Sequence, residues 1–382
     1  MTLREMGRES GCKRASRIAG FALLALLSAG HATAQSATRN VVLIMSDGLR
    51  WQEVFNGADP AMIDEKAGGV DDTTALRREF ARGTREEARR TLLPFIWSVV
   101  AREGQIYGDR SAGGEAQLTN GFKFSYPGYN ETLSGHPDPR IDSNGPLPNP
   151  NVTVFEWLNH QPGFEGKVAA FGTWNRFAEI FNRERSGIPV RAGWEPPFEK
   201  APTAGEAQLN DLYRTTTRLW HDVSYDSFLQ QAVLDYLRTD HPRILFVGYG
   251  ETDEWAHARR YDQYLESAHR ADAFIAELWR TMQAMPEYRG NTTFIITTDH
   301  ARGSGPSDWT THGAKVDGAE NIWIGVLGPD TPARGAVTTG RVTQSQIAAT
   351  VAALVGKDYR AAMPEATPPI AAVLYSAAAS EH

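Results

Sequence analysis

Cysteine is nearly absent. The chain has one in 382 residues, Cys12, and it lies upstream of a short apolar stretch near the N-terminus. Past that point thiolate metal ligands, a thiol nucleophile and a disulfide framework are all excluded. Long apolar runs are missing too. No segment after the first 34 residues approaches the ~18 consecutive apolar residues that a membrane span needs. Positive charge is also in deficit, with a formal net charge of −7.

The first residues have their own pattern. Lys13, Arg14 and Arg17 form a basic start, residues 18–27 are apolar, and Ala32-Thr33-Ala34 precedes Gln35. Basic start, short apolar core and small-residue site make 1–34 a predicted secretory signal peptide, with the mature chain periplasmic or secreted and free of the membrane. Its removal takes away five basic residues (Arg4, Arg8, Lys13, Arg14, Arg17) and two acidic ones (Glu5, Glu9), so the net charge moves from −7 to −10. Such a surface argues against nucleic acid as a partner. It leaves phosphate chemistry open, because bound metal ions supply their own positive charge.

The rest, 35–382, reads as one large α/β domain with inserted segments. Short, continuous apolar runs mark buried strands at 40–45, 167–171, 243–247, 292–297 and 322–327. Helical spacing is clear at 92–102, opening near Pro94, at 224–238 and at 262–285. Thr343 with Gln346 three residues on is a capping box that opens a last helix, and Gly356 closes it. This alternation predicts a mostly parallel central sheet with helices on both faces. Residues 135–151, rich in Pro, Asn, Asp and Gly, form a long loop. Segments near 56–90 and 186–209 read as insertions placed at the pocket mouth.

Three of the strands end in polar clusters: Met45-Ser46-Asp47-Gly48; Gly250-Glu251-Thr252-Asp253 with His257; and Thr298-Asp299-His300. Thr311-His312-Gly313 follows the last of these. Ligands of open α/β sheets sit at the carboxyl ends of strands, so the clusters are expected to meet in one crevice. Aspartate with neutral imidazole suits zinc, with manganese or iron as other fits. Each element alone is commonplace. Their order and spacing together carry the signal.

That order, strand–Asp, nucleophile segment, D-x-x-x-H, D-H and a final His, resembles the alkaline phosphatase superfamily. The resemblance is closer to its nucleotide pyrophosphatase/phosphodiesterase branch and related bacterial phosphatases, and it runs from about residue 40 to residue 330. It implies two divalent metal ions, most simply Zn2+. One would be held by Asp253, His257 and His312, the other by Asp47, Asp299, His300 and the hydroxyl of Ser125. Phe124-Ser125-Tyr126-Pro127-Gly128 stands where the diesterase branch has Thr-Phe-Pro-Asn, with Ser for Thr and Gly128 for Asn. Ser125 is then the nucleophile, forming a covalent phosphoserine, although a serine opening a helix also fits an N-cap. Asn144 matches a phosphoryl-binding Asn of that branch, or is a turn residue in Asp142-Ser143-Asn144-Gly145. Arg176, a few residues past the strand at 167–171, is a candidate for holding non-bridging phosphoryl oxygens. Its other reading is an ion pair with Glu179 or Glu184. Glu131 and His136 read as structural.

The reaction expected is therefore hydrolysis of a small-molecule phosphate ester, mono- or diester. Two other readings compete. A sulfatase shares the fold but needs C/S-x-P-x-R, and Tyr129 stands where that Arg belongs. A non-catalytic periplasmic metal- or ligand-binding protein on the same scaffold would be expected to have lost a ligand or the nucleophile, and none is missing here.

Overall fold

A strand with no polar side has to be covered on both faces. Asn40–Ser46 (β1) is such a segment, and all seven of its residues are buried. In the computed structural model, which describes residues 36–200 and 203–374, β1 lies at the centre of an eight-stranded sheet. The predicted signal peptide, 1–34 with Cys12, lies outside the described residues.

The other strands are β2 (Gln105–Tyr107), β3 (Glu115–Gln117), β4 (Val168–Gly172), β5 (Val190–Ala192), β6 (Ile244–Tyr249), β7 (Thr292–Thr297), β8 (Ile324–Leu327), β9 (Gly335–Val337) and β10 (Arg341–Thr343). The sheet order is β5-β4-β6-β1-β7-β8-β2-β9, and β10 pairs with β3 in a separate two-stranded sheet. Only β8 runs against the rest, pairing antiparallel with β7 and β2. The expectation of a mostly parallel sheet holds.

Alternate residues of β1 enter different cores. Val42 and Ile44 belong to the cluster packed by the helices Asp226–Asp240 and Tyr261–Ala284. Val41, Leu43 and Met45 join Tyr126, Tyr129 and Leu133 of the helix Ser125–Ser134 and Ile347, Val351 and Leu354 of the helix Ile347–Leu354. The sheet is thus covered on both faces, as predicted. The capping box at Thr343 is present, opening a 3-10 turn that leads into this last helix. Among the described residues no helix is long and apolar enough to cross a membrane.

Two expectations need correction. Residues 92–102 do not form one regular helix. Pro94 has no N–H, and the N–H groups of Phe95 and Ile96 donate to the buried Asp272 carboxylate at 2.7 and 2.9 Å. A π-helical turn at Ile96–Val100 follows, then Ala101–Glu103. The segment 186–209 is not wholly an insertion either. It contributes β5 to the sheet edge and the start of the helix Ala204–Thr215, which has its own capping box at Thr203. A three-residue strand is too short for a periodicity signal. The segment 56–90 does form three short surface helices.

Candidate active site

Four neighbouring parallel strands, β4-β6-β1-β7, deliver their carboxyl ends to one edge of the sheet. The polar clusters follow directly. Asp47 comes off β1, and its Oδ2 accepts the Tyr129 hydroxyl at 3.0 Å. Gly48 then turns with φ +62°, and a Cβ there would lie 2.8 Å from Arg302 Nε, so both the backbone angle and the space require glycine. Its N–H donates to Asp299 Oδ1 at 3.1 Å, linking β1 to β7.

Asp253 and His257 lie four residues apart on the helix Glu251–His257, a spacing that puts both on one face. The start of that helix is fastened to the preceding helix, Asp226–Asp240. Asp226 Oδ1 accepts the Gly250 N–H at 2.9 Å, and Glu251 Oε1 accepts the Asp226 N–H at 3.0 Å. Asp299 and His300 follow β7, and Gln344 Nε2 donates to the Asp299 carbonyl at 2.8 Å. The His300 Nδ1–H donates to the Ala301 carbonyl at 2.9 Å, which leaves Nε2 as the lone-pair nitrogen facing the cluster.

All seven predicted metal-site residues meet here. Around His300 Nε2 stand Asp47 Oδ1 at 3.3 Å, Ser125 Oγ at 3.4 Å, Asp299 Oδ2 at 3.5 Å and Asp253 Oδ1 at 3.8 Å. Four oxygens around one nitrogen at this range are mostly too far for good hydrogen bonds. The separations instead match the edge, about 3.3–3.4 Å, of a tetrahedron built on metal–ligand bonds of about 2.0–2.1 Å. A second group adjoins it. His257 Nε2 lies 3.0 Å from His312 Nε2 and 3.2 Å from Asp253 Oδ2. Asp47 Oδ1 and Asp299 Oδ2 are buried with no hydrogen-bond partner. Buried polar atoms are almost always satisfied, so these residues fit bound cations. The oxygen and nitrogen donors of Asp47, Asp299 and His300, and those of Asp253, His300 and His312, each lie within 4.8 Å of one another. His300 therefore stands at the junction of the two groups, while His257 closes the second from the half-exposed side.

The electrostatics agree. Burial and then the Asp47 charge push the Asp299 carboxyl up to about 8. Burial works against charge on His300, but Asp299 and Asp47 outweigh it and raise the imidazole to about 9. Burial, followed by the charge on His300, holds both His312 and His257 below the usual imidazole range. A bound dication would displace the protons that Asp299 and His300 favour, because its ligands must be deprotonated, and it would meet His312 and His257 already neutral.

Ser125 is the first residue of the helix Ser125–Ser134, and Phe124, not Ser125, occupies the N-cap. The N-cap reading of Ser125 is corrected: its hydroxyl caps nothing and faces His300. The helix end is poor in free donors. Pro127 has no N–H, and the Tyr126 N–H donates to Asn144 Oδ1 at 3.0 Å. With its oxygen so engaged, Asn144 has an amide nitrogen left that meets no partner among the described residues. Arg176 Nε donates to the Asn144 carbonyl at 3.1 Å. Among the described residues Arg176 makes no ion pair, so its expected pairing with Glu179 or Glu184 is absent. Glu131, read as structural, accepts from the Thr119 and Asn120 backbones and side chains at 2.8–3.0 Å, fixing the segment that leads to Ser125.

A cleft of about 250 Å3 is lined by Asp47, Ser125, Asn144, Arg176, Asp253 and His257, together with Trp174, Asp222 and Glu254. None of its lining residues comes from 56–90 or 186–209, the segments expected at the mouth. Burial, with Asp222 and Asp47 adding to it against the opposing effect of His257, raises the Glu254 carboxyl to about 7.

Sequence reasoning missed four residues. Arg302 is fully buried. It donates to the Thr310 carbonyl at 2.8 Å and pairs with the Asp253 carboxylate, so it ties the Asp253 helix to the loop bearing His312. A charged residue two positions after Asp299-His300 was the available signal. Tyr129, one helical turn past Ser125, could have been placed by its i,i+4 spacing. Asp222 and Glu254 had no motif to mark them.

No family model matches the chain, and no curated protein matches it at a significant level. Solved structures do. The alkaline phosphatase PafA aligns over 90% of this chain and 100% of its own with a TM-score of 0.57 and 10% identity. BT1596, a 2-O GAG sulfatase, aligns over 87% of this chain and 73% of its own with a TM-score of 0.52 and 14% identity. A protein of the alkaline phosphatase superfamily from Vibrio parahaemolyticus aligns over 85% of this chain and 68% of its own, with a TM-score of 0.50 and 13% identity. At these identities the likeness is one of fold, and the chain has the alkaline phosphatase superfamily fold.

Proposed function

We propose that the protein is an exported, metal-dependent phosphoric ester hydrolase that works through a covalent phosphoserine on Ser125. The observation that carries this is the position of the Ser125 hydroxyl, 3.4 Å from His300 Nε2 at the edge of the carboxylate–imidazole cluster. Asp47, Asp299, His300 and Ser125 would hold one ion, and Asp253, His257 and His312 the other. Two dications there would lower the pKa of the serine hydroxyl and offset the charge of the carboxylates and of the departing oxygen. Zinc suits the donor set.

The chain's own groups account for the rest. Ser125 Oγ attacks phosphorus, and the ester oxygen leaves from the opposite side. The amide nitrogen of Asn144 and the guanidinium of Arg176 receive the non-bridging oxygens, where charge-assisted donors are worth most. Water then cleaves the phosphoserine and frees phosphate and Ser125. Tyr129, Arg302 and Gln344 hold Asp47, Asp253 and the Asp299 backbone in place.

A sulfatase is the second reading, because structures of that activity share the fold. The donor set argues for phosphate: three imidazoles suit transition metals, whereas calcium takes oxygen ligands. Purified protein loaded with zinc should hydrolyse p-nitrophenyl phosphate or its bis ester and not p-nitrophenyl sulfate. Ser125→Ala should lower turnover several hundred-fold with the fold intact. One bound calcium with turnover of the sulfate alone would establish the sulfatase instead.

A further inference from the structure

Asp47, Asp253 and Asp299 all belong to the two groups of donor atoms, and bound cations would offset their charge. Two more carboxylates line the same cleft, Asp222 and Glu254. Neither forms an ion pair with a lysine or arginine among the described residues. Arg176 is the cleft's sole lining guanidinium, and the reading above uses it for phosphoryl oxygens. Asp47 Oδ1, which the reading above gives to a cation, is buried at this cleft without a hydrogen-bond partner.

Trp174 lines the cleft with Asp222 and Glu254, its Nε1–H directed at Asp222 Oδ2 from 3.4 Å. That contact is long for a hydrogen bond, and the other Asp222 carboxylate oxygen meets no side-chain donor among the described residues. The Trp174 ring also lines the cleft, and an indole face attracts cations. The cleft is thus lined both by Ser125, Asn144 and Arg176, which the reading above gives to the phosphoryl group, and by Asp222, Glu254 and Trp174. An ester whose alcohol portion is anionic would be repelled by those two carboxylates, and a neutral one gains nothing from them.

We propose that Asp222 and Glu254, with Trp174, form a cation-accepting wall that makes the site selective for phosphate esters of small amino alcohols. The inference rests on the phosphoric ester hydrolase reading above and names its substrate class. A cleft of about 250 Å3 lies below the ≈ 300–1,000 Å3 of drug-sized sites, which suits a short ester.

The test compares 2-aminoethyl phosphate with propyl phosphate, a neutral alcohol portion of similar size, on the zinc-loaded protein. The kcat/KM ratio should favour the amino ester by ~10-fold or more, the size of one charge-assisted contact. The preference should shrink in 0.5 M salt and fall at least fivefold in Asp222→Asn and in Glu254→Gln. The ratio is internally controlled, since damage to folding or to the metals lowers both rates together. Calorimetry on Ser125→Ala should give the same order of Kd without turnover. A ratio near one in the unmodified protein, or a ratio unmoved by both substitutions, overturns the inference while hydrolysis of propyl phosphate upholds the hydrolase reading. Hydrolysis of neither ester, nor of p-nitrophenyl phosphate, overturns both.

Discussion

Gly128 offers a way to separate the placement of Ser125 from the stability of the fold. It lies in the first turn of the helix Ser125–Ser134, against the Asp299–His300 strand end. A Cβ at this position would lie 2.3 Å from the Asp299 carbonyl oxygen and 2.9 Å from its carbon. Ordinary contact begins near 3.4 Å, so Gly128→Ala must move the helix or the strand end by about 1 Å. Neither is soft. Asp299 is fully buried, its Oδ1 accepts from Gly48, and its carbonyl accepts from Gln344. The helix should therefore yield and carry the Ser125 hydroxyl away from His300. Overpacking costs about 1–3 kcal/mol, and replacing a helical glycine by alanine returns about 0.8–1.0 kcal/mol. The net loss is ~0–2 kcal/mol, which for a domain of this size lowers Tm by no more than about 3 °C. Activity should suffer far more, because a 1 Å misplacement can cost about 10²-fold. The assay is paired: thermal unfolding with zinc bound, and kcat/KM on p-nitrophenyl phosphate. A variant that gains stability and keeps full activity would refute the reasoning, since the helix would then have room that the contact denies it.

Other outcomes follow from the same geometry. Arg176→Ala should cut kcat/KM for a phosphate monoester by ~10²-fold and for a diester much less, because the monoester carries the extra charge that needs a partner; equal losses would return Arg176 to a structural role. Chelation should remove two equivalents of transition metal, measured by elemental analysis, and lower Tm, because ions bound only by the folded state stabilise it. One calcium and no zinc, manganese or iron would contradict the donor set. Tyr129→Phe removes the hydroxyl that donates to Asp47 Oδ2, and a zinc titration against a competing chelator should give affinity weaker by about 10–100-fold. Unchanged affinity would mean that Asp47 is positioned by the backbone alone.

The sequence alone determined the inner strands and which polar clusters meet at their carboxyl ends. Asn40-Val41-Val42-Leu43-Ile44-Met45 has no polar face, so it had to be an inner strand covered twice, and β1 is that strand. Asp47, Asp253 and Asp299-His300 each end an apolar run, and the carboxyl ends of parallel strands share one edge, so their meeting was legible before any coordinates. Local chemistry was legible too, as in the capping box at Thr343. The short strands β2, β5 and β9 were not, because three residues hold too little periodicity, and their pairing depends on neighbours remote in the chain. Tertiary structure alone decided what each polar side chain meets. Ser125, read as the nucleophile with an N-cap as its other reading, has its hydroxyl facing His300 because the chain enters the helix one residue earlier, at Phe124. Arg176 had two glutamates nearby in sequence and pairs with neither, because the loop at 135–151 brings Asn144 to it instead. Asp222 and Glu254 sit 32 residues apart with no shared motif and become one wall only when the end of β6 folds beside the segment before the Asp226 helix. Backbone pattern is written in local periodicity, whereas side-chain partnership depends on which distant segments the packed sheet brings together.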